Sequence, residues 1–429
     1  MTDEGLIELS VGDPAAGGGC VARGPDGRVV FVRHALPGER VRARITGESA
    51  RFSRADAVEV LEASPDRVAS PCPAAGPGGC GGCDYQHVAI EAQRRWKARL
   101  IETQLARLAG LERTVTVEAL PEAPSGLGWR TRVRYAADAR GRLGLRHHRS
   151  HELQRLDGCL LATTEVAATE VTSRRWPGAS EVEVFAPRTD PPGPGGLTAL
   201  VVVEATRPLS ATPVPRLGPG VGVVIRGRAR RAPAEVVTAA AGHRYRVSAG
   251  AFWQVHLGAP DALVHAVLEL ASPRPGEQVA DLYAGVGLLT VPLGAAVGPT
   301  GRVLALERHR ASSADLATST AAMPWVEARH AGVRPATLDA AGPLDLVVLD
   351  PPREGAGTEL MSALATRERL RAVCYVACDP AAFARDLRVV LDAGWSLARL
   401  RALDCFPMTE HVELVALLEP PGALHAPGG

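Results

Sequence analysis

Short apolar runs broken by Gly and Pro fill the first 65 residues. Leu6–Val11, Arg28–Val32, Arg40–Ile45 and Ala57–Leu61 read as strands. Short, evenly spaced strands with turn signals between them predict a small β-barrel, although pattern alone does not separate this from a hairpin cap. The period then changes. Val88, Ala92, Trp96, Leu100, Leu105 and Leu108 recur near helical spacing and predict a helix from Gln86 to Leu108. Residues 115–240 mix strands and loops, with a Pro/Gly-rich loop at Pro187–Gly196. From about residue 277, near-continuously apolar strands alternate with helical stretches: Val279–Tyr283, Arg302–Leu306, Leu344–Leu349 and Ala372–Ala377, with a last strand at Val412–Leu418. Strands apolar on both faces, separated by helices, predict a covered parallel α/β sheet. No repeat is evident.

Composition narrows the class. The chain has 429 residues, 46% of them hydrophobic and 22% charged, enough for a sizeable core and about three domains. Net charge is +1, from 48 basic and 47 acidic residues, which excludes a uniformly basic nucleic-acid coat but not a local basic face. Lys97 is the one lysine; every other basic residue is Arg. The acidic start MTDEGLIELS lacks a signal-peptide core, and no apolar run reaches the roughly 18 residues of a membrane helix. These features predict a soluble cytoplasmic protein. In that compartment cysteines serve as ligands, nucleophiles or core residues more often than as disulfides.

Four motifs gather at predicted strand ends. Asp281-Leu-Tyr-Ala-Gly285-Val-Gly287 stands where a strand meets a helix, and its glycines admit a ligand to backbone amides. Glu307 ends the next strand about 20 residues later, the position from which a carboxylate holds ribose hydroxyls. Thr290 replaces the last Gly of a dinucleotide fingerprint, which tilts the reading toward S-adenosylmethionine. Asp350-Pro351-Pro352-Arg353 follows a third strand and puts an acid at its mouth. In Cys374-Tyr-Val-Ala-Cys378-Asp379-Pro380, Cys378 falls between a strand and a helix that Asp379 caps and Pro380 opens. A thiol at a helix N-terminus is expected to have a lowered pKa and to act as a nucleophile. Glu413, opening the last strand after His411, is a candidate general base.

Two further patterns point elsewhere. Cys72, Cys80 and Cys83 share one Gly-rich loop with spacing C-x7-C-x2-C, and Cys159 is the best fourth ligand. Three clustered thiols plus a distant one suit a 4Fe-4S cluster better than structural zinc, which more often takes two adjacent pairs. Arg130, Arg132 and Arg134 alternate along one predicted strand face. Arg140, Arg142, Arg146, His147, His148, Arg149 and Arg155 follow, opposed locally by Asp138 and Glu152, and Arg226–Arg231 is a second basic run. Such stripes fit phosphate contacts, with Trp129 or Tyr135 stacking on bases.

Taken together the motifs resemble the S-adenosylmethionine-dependent RNA uracil-5-methyltransferases across nearly the whole chain. The resemblance implies a multidomain protein. Residues 1–65 would be a TRAM-type, OB-like β-barrel that binds RNA. Residues 66–242 would form a central α+β domain with an iron–sulfur loop and Arg-rich RNA-binding strands. Residues 243–429 would be a Rossmann-like class I methyltransferase domain. SAGAFWQVH matches a family signature whose glutamine, here Gln254, contacts the cofactor. By the same likeness Gln254, Tyr283, Glu307 and Asp350 bind S-adenosylmethionine, Cys378 is the nucleophile and Glu413 the base. Cys72, Cys80, Cys83 and Cys159 hold the cluster. The implied partner is rRNA or tRNA and the implied state a monomer. Two departures stand out: Asp379 replaces the Asn that usually follows the nucleophile, and Leu288 and Leu289 occupy a neighbourhood that often holds an Asn. A carboxylate beside the thiol raises its pKa. Two other readings remain at this stage: RNA cytosine-5 methylation, and a catalytically weak iron–sulfur RNA-binding protein.

Overall fold

A computed structural model describes residues 6–189, 196–206, 214–225, 228–231 and 234–422. Five strands, Leu6–Ala15, Gly19–Arg23, Val29–Arg33, Arg40–Glu48 and Phe52–Glu62, close into a barrel. Closure follows from alternation. Leu9 and Val11, Val30 and Val32, Val41 and Ala43, and Ala55 and Ala57 point inward, while the residues between them face outward. The strand Gly19–Arg23 was not legible, because its run of glycines reads as turn. The barrel core continues into Tyr85, Val88, Ala92 and Trp96, so the barrel sits on the following helix.

That helix spans Ile90–Gln104 and runs into a π-type turn, Leu105–Ala109, ended by Gly110 in the left-handed region. It starts later than its apolar stripe because the backbone of residues 87–89 is committed elsewhere: His87 O accepts from the Val68 amide at 3.1 Å, the Val88 amide donates to Tyr85 O at 3.0 Å and the Ala89 amide to Asp66 O at 2.9 Å. Its other face, with Ala98, Ile101 and Leu105, packs against the C-terminal sheet.

The central region is a seven-stranded sheet in the order Arg228–Arg231, Val221–Ile225, Ala199–Ala205, Ala179–Phe185, Arg132–Ala137, Leu143–Arg146, Leu153–Gln154. The side chains of the basic run Arg226–Arg231, and residues 190–195 of the expected Pro/Gly loop, lie outside the described residues.

The C-terminal region is an eight-stranded sheet in the order Val326–His330, Arg302–Glu307, Gln278–Leu282, Leu346–Leu349, Ala372–Ala377, Glu413–Glu419, Ser396–Leu403, Val117–Glu118. The first five are parallel. The sheet is therefore mixed rather than purely parallel: Glu413–Glu419 runs antiparallel beside Ala372–Ala377 and pairs antiparallel with Ser396–Leu403. Helices cover both faces, and all six residues of Ala372–Ala377 are buried. Among the described residues no helix is long and apolar enough to cross a membrane.

Candidate active site and cysteine cavity

The sheet places the chemistry at one edge. Tyr283 follows Gln278–Leu282, Glu307 ends Arg302–Glu307, Asp350 follows Leu346–Leu349 and Cys378 follows Ala372–Ala377. Carboxyl ends of adjacent parallel strands lie side by side, so residues far apart in sequence share one rim. Glu413 reaches that rim by opposite logic. It begins an antiparallel strand, and the register pairs Val376 with Val415 and Ala377 with Leu414. The ladder ends there, one residue short of Cys378, and both Cys378 and Glu413 face the cleft close enough for the Glu413 charge to act on the thiol.

Gln254, Tyr283, Glu307, Asp350, Cys378 and Glu413 all line one cleft of about 1300 Å³. That volume exceeds the roughly 300–1,000 Å³ of a small-molecule pocket and leaves room for a second nucleoside-sized guest. Tyr283 adopts φ 65°, a strained conformation for a non-glycine residue that turns the chain sharply out of the strand. The Gly285 amide donates to Glu307 Oε2 at 2.9 Å, and the His309 amide donates to Glu307 Oε1, which pins the carboxylate. Leu288 and Leu289 line an adjoining apolar recess beside Gln254 and Asp350.

Four carboxyls line the cleft, Asp84, Glu307, Asp350 and Glu413, and four arginines, Arg130, Arg308, Arg334 and Arg353, face the same space. Burial raises Asp281 and Asp350 to about 7. Burial, then the charge of Asp350, pushes Glu413 well above the usual carboxylate range, with Arg353 opposing. Glu413 Oε2 is buried without a partner among the described residues. An unsatisfied buried carboxyl facing a cleft is costly to the free protein and available to a ligand.

Cys378 corrects one expectation. Its thiol is pushed up to about 12 rather than down, first by burial, then by Glu413 and Asp350, with Arg353 lowering it and Asp379 adding a smaller increase. The position at the helix start is as expected: the Asp379 side chain accepts from the Ala382 amide at 2.8 Å, with Pro380 next. Desolvation outweighs the helix end there.

Cys72, Cys80, Cys83 and Cys159 line a second cavity, of about 330 Å³, which shares Gly81, Gly82 and Arg130 with the cleft as common wall. Burial raises the Cys80 thiol, and it pushes Cys83 up to about 12, with the other three cysteines adding to the effect. Among the described residues no three His, Cys, Asp or Glu side chains converge as a single-ion site. The thiols border a shared space instead of meeting at a point.

The basic stripe is less free than its sequence suggests. Arg132 is buried against Glu183 at 3.6 Å and stacks on Phe185 at 4.2 Å. Arg134 pairs with Glu183 at 2.8 Å, and Arg146 with Glu181 at 3.2 Å. Asp138 holds Arg142 at 3.0 Å and Arg155 at 3.4 Å. Glu181 and Glu183 sit on the neighbouring strand, about fifty positions away, so local counting missed them. Trp129 and Tyr135, expected as stacking residues, are buried.

Sequence reasoning quoted several cleft residues without assigning them a role. Arg353 is the cation facing both Cys378 and Glu413, and His411 lines the cleft beside them. Phe252, two residues before Gln254, is 58% exposed at the cleft, unusual for so large an apolar side chain. Asp281, at the head of its motif, is buried in the adjoining recess and accepts from the Thr290 hydroxyl. Each stood inside a recognised motif, which was the available signal.

Comparison with known proteins bears on this arrangement. The TRAM domain model matches residues 6–58, the closed barrel. An uncharacterized RNA methyltransferase of Streptomyces coelicolor is 46% identical over 96% of this chain and 92% of its own length. The 23S rRNA (uracil(1939)-C(5))-methyltransferase of Halomonas elongata is 33% identical over 97% of this chain and 90% of its own. A crystal structure of the Pyrococcus abyssi tRNA (uracil-54, C5)-methyltransferase with S-adenosyl-L-homocysteine superposes with a TM-score of 0.69, covering 96% of this chain and 100% of that one at 19% identity. That likeness is one of fold.

Proposed function

This chain belongs to the S-adenosylmethionine-dependent RNA uracil-5-methyltransferase family, and from that premise we propose that it methylates carbon 5 of a uridine in rRNA or tRNA through a covalent adduct with Cys378. The observation that carries the reading is that Cys378, just past the end of one strand, and Glu413, at the start of its antiparallel neighbour, stand close together in the cleft that Gln254, Tyr283, Glu307 and Asp350 also line.

The roles follow from what each group can do. Carbon 5 of uracil is a weak nucleophile. Addition of the Cys378 thiolate to carbon 6 makes the ring an enolate whose carbon 5 can attack. S-Adenosylmethionine, held by Gln254, Tyr283, Glu307 and Asp350, supplies the methyl group. Glu413 then takes the proton from carbon 5. The electrons of that C–H bond form the C5–C6 double bond, and the carbon–sulfur bond breaks to free Cys378. Burial disfavours the ionised form of both catalytic groups in the empty cleft and is the largest influence on each. Arg353 favours the ionised form of each. A cationic methyl donor among the carboxyls adds to that effect, which couples ligand entry to activation. The uridine must leave its stack to reach the cleft.

The cysteine cavity fits a 4Fe-4S cluster. Four thiols border one space, as cluster ligands do. Cys72, Cys80, Cys83 and Cys159 would hold it, and it would act as a cross-link between the Gly-rich loop and the central sheet, since methyl transfer needs no electron. Thiol ligands of this kind suit a reducing cytoplasm, and one chain supplies every residue of the cleft, so a monomer suffices.

The test is methyl transfer from labelled S-adenosylmethionine to rRNA and tRNA transcripts, followed by nucleoside mass spectrometry. Labelled 5-methyluridine is the expected product. Label in 5-methylcytidine, or cofactor binding with no transfer to either RNA, would overturn the reading.

A further inference from the structure

The segment that delivers Glu413 is tied on three sides. Lys97 Nζ, fully buried on the helix Ile90–Gln104, donates to Asp404 Oδ1 at 2.6 Å and to Phe406 O at 2.9 Å. Two residues on, Met408 takes φ 66°, and its amide donates to Gln93 Oε1 at 2.8 Å. Met408 O accepts from the amides of Asp84 and Tyr85, just beyond the last cysteine of the loop. The third tie spans the longest sequence separation. Glu410 Oε2 accepts from the backbone amides of Gly17 and, at 2.9 Å, Gly18, in the tight turn between the first two barrel strands. Successive amides on glycines with φ 96° and 73° form a nest for a carboxyl, and here the acceptor is a side chain from the loop that leads into the strand Glu413–Glu419.

This contact is built rather than incidental. Asp84 stands between its halves: it pairs with Arg33 of the barrel at 3.5 Å and accepts from the Glu410 amide at 3.4 Å. A Cβ on Gly18 would lie 2.5 Å from Asp84 Cγ, so only glycine lets the turn approach this closely. The barrel turn, the cysteine loop and the segment before Glu413 therefore form one junction next to the cleft.

We propose that Glu410 is a positioning residue for the proton-removal step: by locking the 406–411 segment to the barrel turn, it sets where the Glu413 carboxylate stands, so the barrel helps build the active site as well as holding RNA. The proposal rests on Glu413 being the base. It assigns Glu410 to the second half of the reaction. Thiol addition and methyl transfer precede proton removal and use groups on other elements. A displaced Glu413 leaves carbon 5 methylated, its proton in place and the carbon–sulfur bond intact.

The test uses the full-length protein with a transcript it methylates. Glu410→Ala is expected to lower kcat about 10- to 100-fold, the scale of a small misplacement at a reacting centre. The KM for RNA should fall together with kcat, because a stalled adduct holds RNA on the enzyme, while the affinity for S-adenosylhomocysteine stays within about twofold. A methylated protein–RNA adduct, absent from wild type, should accumulate on denaturing gels with unmodified RNA. Glu410→Gln keeps an acceptor oxygen and the side-chain shape, and should recover most of kcat. Gly18→Ala pushes the turn away without touching residue 410, and should give the same accumulation. A rise in the KM for RNA at unchanged kcat would overturn the proposal and make the contact part of RNA binding alone. Loss of adduct formation in parallel with turnover would overturn it as well. Failure of wild type to methylate any RNA would refute the proposed function instead, so the two failures are separable.

Discussion

The two cavities share a wall but are built in different ways. The cleft is lined by residues at the ends of sheet strands, where register fixes backbone positions to within a fraction of an ångström, and its acids are held there at the cost of desolvation. The cysteine cavity is lined by a Gly-rich loop and a distant segment around Cys159, held by turn bonds and side chains rather than by a sheet ladder: the Cys80 amide donates to Ala74 O at 2.8 Å, the Gly81 amide to Arg146 O at 3.2 Å and Gln86 to Cys83 Sγ at 3.4 Å, and an isolated bridge joins Cys80 to His147. The fold makes the first site. The second is built from loops, and the proposed cluster would cross-link them. Chemistry that needs exact placement belongs on strand ends, and loops can be left for a ligand to order.

The sharpest way to break this comparison is at Cys378. Cys378→Ala should remove methylation and the adduct with 5-fluorouridine RNA, a loss of at least about 10⁴-fold, while the melting temperature stays near wild type. Appreciable turnover in this variant would end the covalent mechanism. Next in size is the buried pair that supports the Glu413 segment. Lys97→Ala strands Asp404 in the interior and should cost about 3–5 kcal/mol, read as a lowered denaturant midpoint. A change below about 1 kcal/mol would mean the segment holds itself.

Ligand ordering of the cysteine cavity predicts a smaller, coupled effect. Cys80→Ser should abolish iron and sulfide binding in anaerobic preparations and lower stability by on the order of 1–3 kcal/mol, with S-adenosylhomocysteine affinity unchanged. Stoichiometric zinc without iron would reverse the assignment.

The cleft acids predict a pH dependence of similar or lesser size. Asp281 and Asp350 are raised to about 7, whereas an unfolded chain releases these protons near about 3.9. The folded protein therefore binds more protons in between. The stability these groups contribute is fully present below the unfolded value and is lost as pH rises through about 7. A cationic ligand reverses the preference. Affinity for S-adenosylmethionine should rise between about pH 6 and 8, by up to about tenfold per unit for each proton released, and S-adenosylhomocysteine, uncharged at sulfur, should show less of it. Asp350→Asn should flatten the curve in calorimetry; an unaltered curve would place the coupling elsewhere. The smallest effect is expected at Arg134, which already pairs with Glu183. Arg134→Ala should change stability by about 1 kcal/mol or less and leave the salt dependence of RNA binding nearly intact.

Periodicity alone located four of the five barrel strands, the long helix and five of the eight strands of the catalytic sheet, because burial imposes period 2 or 3.6 on any chain that folds; Val326–His330, Ser396–Leu403 and Val117–Glu118 were missed. Local motifs supplied Gln254, Tyr283, Glu307, Asp350, Cys378 and Glu413, which line one cleft, and Asp379 as a helix cap. They also determined which cysteines share one space. Only the tertiary structure decided the rest. Register across neighbouring antiparallel strands brought Glu413 to Cys378. Burial reversed the expected shift of the thiol, because desolvation depends on what surrounds a group and not on what adjoins it in sequence. Glu181 and Glu183 neutralised arginines that looked free, and Glu410 reached 393 positions back to the barrel turn. Sequence specifies what each group can do. Which partner it meets is set by contacts between distant segments, and those exist only once the chain has closed its sheets and barrel.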